Sequence, residues 1–154
     1  MIRLYHGTRY ENGLAIGLDT KMLSPYEQEM KKIIERSVTV SEARDWAERR
    51  IREMYAEHER EYRGRCISLT PDRELAKRYA QWYEEKGRLG GVVFEFEIEE
   101  LPRDCLRGAT IYVPDSFSLD SLSAIHFTPK AWEEENYNKL TDLFERYKVD
   151  YCLL

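Results

Sequence analysis

Leu4-Tyr5-His6-Gly7-Thr8 is the stretch from which the rest of this chain is best read. Ile2, Leu4 and the flanking aromatics form a strand pattern, and His6-Gly7-Thr8 falls where that strand is expected to leave the sheet. A polar triplet is thereby delivered to a strand end. Gly7 lacks a side chain, so a ligand can approach its N–H and C=O directly, while His6 and Thr8 place hydrogen-bonding groups on either side. Gly13, Ile16, Gly17 and Leu18 then suggest a short apolar helical turn closed by a glycine. Taken alone, the pentapeptide also fits a strand, a tight turn and a histidine that satisfies a buried carbonyl.

A chain of 154 residues suits one domain with one real core, spanning 1–154. Its 42% hydrophobic and 34% charged content fits a soluble globule, and no apolar run is long enough to span a bilayer. The amino terminus lacks the basic-then-apolar pattern of an export signal, which points to the cytoplasm. A net charge of −5 argues against a generally basic nucleic-acid surface, though not against local patches. Cys66, Cys105 and Cys152 show no metal-ligand spacing and read as buried reduced thiols. The many Glu, Arg and Lys residues are compatible with a thermophile.

Ser24-Pro25-Tyr26-Glu27 combines a capping serine, a first-turn proline and a capping-box glutamate, followed by Tyr26, Met30, Ile33 and Ile34 at helical spacing. A second helix capped by Thr39 or Ser41 carries Ala43, Trp46, Ala47, Ile51, Met54, Tyr55 and Tyr62 as one stripe running to Gly64. Its remaining faces alternate Arg and Glu, as a solvated surface does. His58 falls on the stripe side and reads as structural.

Cys66-Ile67-Ser68-Leu69-Thr70 is a strand with small polar residues on one face. Thr70-Pro71 is expected to start a helix with Thr70 as cap and with Leu75, Ala76, Tyr79, Ala80 and Tyr83 as its stripe. Ser68 and Thr70, followed by Tyr79, fit the floor and one wall of a pocket for a flat aromatic ligand. Val92, Phe94, Phe96 and Ile98 alternate with Val93, Glu95, Glu97 and Glu99 in the clearest strand of the chain. Ile111-Tyr112-Val113 and Ala124-Ile125-His126-Phe127 read as further strands. Ser118-Leu119-Asp120 reads as a turn, Thr128-Pro129 as the start of a last helix including Trp132, and Val149 to Leu154 as a final strand or docked tail.

Tyr5-His6-Gly7-Thr8, Ile16-Gly17-Leu18, Cys66 to Thr70 with Ala76 and Tyr79, and Gly91 to Phe96 together resemble the ADP-ribosyltransferase fold. Order and spacing are similar to the poly-ADP-ribose-polymerase-like branch and to the related RNA 2′-phosphotransferases. The resemblance implies an α+β single domain with a split antiparallel sheet, flanking helices and a helical insertion after the first motif, about 24–62. It implies NAD as substrate, with His6 on the ribose, the Gly7 backbone on the nicotinamide amide, Tyr79 stacked on the ring and Ser68 at the second motif. Thr8 and Thr70 would line the same site, and no metal is implied.

Members of the family place a glutamate before a Val-Pro-like turn, where it supports charge developing on the ribose. In this chain the position falls on uncharged Thr110. Glu95, Glu97, Glu99 and the Glu133 to Glu135 run are available as substitutes, although acids at a helix start also serve the helix dipole. Three readings follow: an NAD-dependent ADP-ribosyltransferase or NAD-cleaving enzyme with a protein, nucleic-acid or small-molecule acceptor, an RNA 2′-phosphotransferase-like enzyme using Arg9, Arg65, Arg73 or Arg78, and a binding module of the same fold without turnover.

Overall fold

Alternating side chains from Ile2 onward build β1 (Ile2–Arg9), and the strand does not stop at the polar triplet. His6, Gly7 and Thr8 stand opposite Phe94, Val93 and Val92 of β4 (Gly91–Ile98) in an antiparallel ladder that continues to Arg9. The expected strand end is therefore corrected: a full-length partner strand satisfies the triplet's backbone on one side and carries it through. The computed structural model of the chain describes residues 1–36, 38–86, 89–102 and 110–154.

β7 (Leu122–Phe127) pairs antiparallel with β4 and parallel with β8 (Asp150–Leu153), giving the order β1-β4-β7-β8. The sheet is mixed, where an antiparallel one was expected. A crossover through α5 (Glu134–Phe144) returns the chain to the same end of the sheet before β8 begins. This sheet belongs to one of two compact units, formed by Met1–Lys21, Leu69–Leu101 and Ser118–Leu154.

On one face Leu4, Val92, Phe94, Phe96, Ile125 and Phe127 are buried under α1 (Tyr10–Asp19) and α5. Gly13 rests against Val92 and Phe94, and Gly17 against Leu143 and Phe144, so α1 comes in close. The Phe94 and Phe144 rings are 5.6 Å apart. Trp132 meets Phe127 edge-on from a turn that precedes α5, because the Thr128 carbonyl takes the Trp132 N–H and the helix itself starts at Glu134.

The other face carries α4 (Arg73–Glu85). A Cβ on Gly7 would collide with the Ala76 carbonyl, and one on Gly91 with the Ala80 carbonyl. Helix backbone thus rests on strand backbone at two points, with Tyr5, Ala76, Ala80 and Val93 as the small core between them. The expected cap is also corrected. Asp72, not Thr70, receives the Glu74 and Leu75 N–H groups, and Thr70 Oγ1 accepts from the Asp72 N–H. Thr70 is held in a bridge to Tyr5 and Pro71 has no N–H to give, so the helix starts only after both.

The second unit comprises Met22–Ser68 and Pro102–Phe117. Ser24 caps α2 (Pro25–Ile34) and Thr39 caps α3 (Val40–Met54), as expected. Tyr26, Ala47 and Ile51 form the core of this hairpin. The expected continuous helix to Gly64 breaks at Tyr55, which is extended and whose carbonyl accepts from Arg60 Nε at 3.2 Å. Gly64 then folds back against Ile51 and Tyr55. His58 is fully turned to solvent in the connecting turn, not on the stripe side. β3 (Cys66–Leu69) pairs with β5 (Ile111–Pro114), and β2 (Lys21–Leu23) with β6 (Ser116–Ser118).

Cys66 is a buried free thiol and Cys152 a half-buried one, the latter less enclosed than expected, while Cys105 lies outside the described residues. Among the described residues no helix is long and apolar enough to cross a membrane. Because a helix carbonyl cannot step aside as a side chain can, Gly7→Ala and Gly91→Ala should each cost about 1–3 kcal/mol in denaturant unfolding. Leu18→Ala, at an exposed position, should stay within about 0.5 kcal/mol.

Candidate functional site

Tyr5 and Thr70 exchange two backbone hydrogen bonds, 2.8 and 2.9 Å, on the edge of β1 that faces away from β4. Along a strand, residues two apart direct N–H and C=O to the same edge. Gly7 therefore presents both groups to the outer edge, one step beyond the bridge. Among the described residues no further strand pairs there. Gly7 is covered on its face by Ala76 and open along its edge, two directions that the sequence reading had merged into one.

The orientation of α4 decides what lies over that edge. Ala76 and Ala80 face the sheet. Glu84, on one flank, accepts from Thr128 Oγ1 at 2.6 Å and from the Lys130 N–H at 3.0 Å, so this flank looks toward β7. At 3.6 residues per turn Tyr79, Trp82 and Tyr83 occupy the opposite flank, on the side of the open β1 edge. Tyr79 is 57% exposed and Trp82 50%, although Tyr79 was expected in the buried stripe. Trp82 stacks edge-on with Tyr83 at 4.9 Å, with the Lys86 ammonium 5.4 Å from its ring centre.

His6 leaves β1 on the face away from α4 and is half-buried opposite Phe94. His6 and Tyr79 thus flank the β1 edge from opposite faces of the sheet. Thr8 is buried and accepts from Asn12 Nδ2 at 2.8 Å, and Thr70 is buried in the bridge. These residues all belong to the first unit. Ser68, half-buried in β3, and Thr110, half-buried just before β5, belong to the second. Glu97 forms an ion pair with Arg3, its cross-strand neighbour, at 3.3 Å. Of the arginines read as phosphate ligands, Arg65 lies 4.1 Å over the Tyr26 ring and 3.6 Å from Glu48, and Arg73 lies 3.7 Å from Glu74.

A polar cluster under the other flank of α4 was not read as a unit from the sequence. Tyr5 and Glu95 are cross-strand partners, and a register shift between Glu95 and Phe96 makes Ser123 the extra residue of a β-bulge. Ser123 Oγ reaches the Glu95 carbonyl at 3.1 Å and its carboxylate at 3.3 Å. His126 Nε2 lies 3.4 Å from Glu95 Oε1, and its Nδ1 is buried without a partner. Burial pushes the imidazole below its usual range. Glu95 opposes that shift, and Arg73, from the first turn of α4, adds to it. Burial and then the Glu95 charge raise the Tyr5 hydroxyl. Two signals were present in the sequence: a glutamate on the Val93 side of β4, and a histidine inside the apolar run Ala124 to Phe127.

An open depression of about 630 Å³, lined in part by Gly17, Leu143 and Arg146, holds none of these residues. No protein-family model matches the chain, and no curated protein matches it either.

The unfolded chain protonates His126 near its usual pKa of about 6.5, whereas the folded chain does so only at lower pH. Between those two values the unfolded state binds more protons, so stability falls as pH drops below about 6.5 and levels off once the folded imidazole is also charged. His126→Gln should remove that segment of the stability-versus-pH curve measured by denaturant unfolding.

Proposed function

We propose that this chain has the ADP-ribosyltransferase fold and binds NAD in the cytoplasm, cleaving it or transferring its ADP-ribose to an acceptor. The observation that carries the reading is the open β1 edge at Gly7 beside the exposed flank of α4 that bears Tyr79. A nicotinamide carboxamide matches that edge: its oxygen accepts from the Gly7 N–H, its NH₂ donates to the Gly7 carbonyl, and Tyr79 offers a ring to stack on. His6, on the far side of the edge, and Thr8 and Thr70 are the polar groups nearest by chain position for the ribose. Ser68 and Thr110 enter by their order in the family motifs. Rupture of the ribose–nicotinamide bond builds positive charge on the sugar, and Thr110 brings no anion to it. The missing electrostatic stabiliser is worth ~10²–10³ in rate, so turnover is expected to be slow.

A second reading, binding without turnover, is favoured by the same position and by the engagement of the substitute acids. Glu95 is tied to Ser123 and His126, and Glu97 to Arg3.

Calorimetric titration with NAD, followed by an assay for released nicotinamide, tests both. Binding should be lost in Tyr79→Ala by about 0.5–1.5 kcal/mol more than in Tyr79→Phe, since stacking needs the ring and not the hydroxyl. Thr110→Glu should raise nicotinamide release with little change in affinity. Absence of NAD binding by the wild-type chain sinks the whole reading, whereas binding with no release from either wild type or Thr110→Glu leaves the binding module.

A further inference from the structure

His126 stands directly opposite Cys152 where β7 and β8 run parallel, so the two side chains leave the same face of the sheet. That face lies under α4, since Leu154, two residues beyond Cys152, packs against Tyr5, Ala76, Ala80 and Val93. Among the described residues β8 is the last strand of the sheet, and Cys152 is a free, half-buried thiol on it.

The two nitrogens of an imidazole point in nearly opposite directions, so with Nε2 at Glu95 of β4 the Nδ1 atom faces away from Glu95. β8 is the strand on the other side of His126 from β4. Nδ1 is closed to solvent and without a partner, in a side chain only 10% exposed. A neutral ring that donates from Nε2 to Glu95 keeps an acceptor lone pair on Nδ1, and the residue set opposite it carries an S–H donor. No bond joins the two in this structure. Neighbouring strands lie about 4.8 Å apart, however, and a thiol swings on one torsion, so turning the Cys152 side chain brings its sulfur to the ring. Glu95, held by Ser123, faces the charge that a proton on Nδ1 creates.

We propose that Cys152 is a reactive thiol, with His126 as its general base and Glu95 as the positioning residue of the ring, and that it exchanges with low-molecular-weight disulfides. Nδ1 takes the S–H proton and the thiolate attacks one sulfur of the disulfide. The old S–S bond breaks as the new one forms to Cys152, and the departing thiolate recovers the proton from the imidazolium, leaving one mixed disulfide and one thiol. Acyl transfer fits less well, because it needs donors aimed at an oxyanion and the nearby Ser123 hydroxyl is committed to Glu95. Neither Cys152 nor His126 belongs to the Gly7–Tyr79 edge, so this thiol is independent of the NAD reading.

The titratable groups around the ring are Tyr5 from β1, Glu95 from β4, and Asp150 and Cys152 from β8. Arg73 of α4, half-exposed and turned to Glu74, acts on it only from a distance. The native protein is incubated with oxidised glutathione from pH 6 to 9, and mixed disulfides at Cys66, Cys105 and Cys152 are counted separately by peptide mass mapping. Cys66, buried and donating to the Glu61 carbonyl at 3.4 Å, is the internal reference for an intact fold and should stay unreacted. At pH 7 Cys152 should react at least about tenfold faster in wild type than in His126→Gln, with Glu95→Gln also slowed. The wild-type rate should be nearly flat from pH 6.5 to 7.5, where an unassisted thiol of pKa about 8.5 gains about tenfold. A wild-type rate that climbs tenfold over that unit, a rate that His126→Gln leaves unchanged, or the absence of any Cys152 adduct overturns the proposal. Should Cys66 become reactive in a variant, that variant has opened and the wild-type profile decides alone.

Discussion

Backbone laid on backbone, at Gly7 with Ala76 and at Gly91 with Ala80, is the constraint from which the first unit follows. A helix that close cannot tolerate a side chain at either strand position. Small residues on the helix complete the fit, and Ala76 and Ala80 are essentially inaccessible. The contact fixes both the height of α4 and its rotation. Glu84 is consequently held at Thr128 and Lys130, and the Tyr79 flank is left without cover.

Strong periodicity was legible in the sequence. β4 was readable because apolar and acidic residues alternate from Phe94 to Ile98 behind the apolar pair Val92-Val93, and α2 because Ser24 caps the Glu27 N–H and Pro25 fits the first helical position. Elements set by partners at long range were not. β2 and β6 have three residues each, too few for an alternation to emerge. The break after Met54 depends on the Arg60 side chain reaching back to a carbonyl, which no periodicity encodes. Within the candidate site, the triplet and Tyr79 could be named from the chain, but the separation of Gly7 into a covered face and an open edge needed the bridge to Thr70. Glu95 was visible as a spare acid. That it faces His126 depends on the strand order, and that Ser123 reaches it depends on the bulge.

Burying a carboxylate beside an imidazole is expensive unless each is satisfied, and here the account closes on one side only. Glu95 receives Ser123 and His126, whereas His126 keeps an unused nitrogen. An apolar pair would fit the same sheet at lower cost in desolvation. The bulge at Ser123 sharpens the contrast, because it gives up regular pairing at the residue that serves Glu95.

A single rigid helix connects the two polar regions. Its Arg73 and Glu84 flank looks toward β7, and its Tyr79 flank toward the open β1 edge, with Ala76 on Gly7 between them. Displacement of the first turn on the Arg73 side therefore cannot leave the other side untouched, since a helix transmits rotation along its hydrogen-bonded length and Gly7 offers no side chain to absorb it. The same absence of a Cβ that admits the helix makes the Gly7 edge responsive to how the helix lies. The lie of α4 over the β1 edge is thus set by two backbone contacts, at Gly7 and at Gly91, whose closeness leaves no slack.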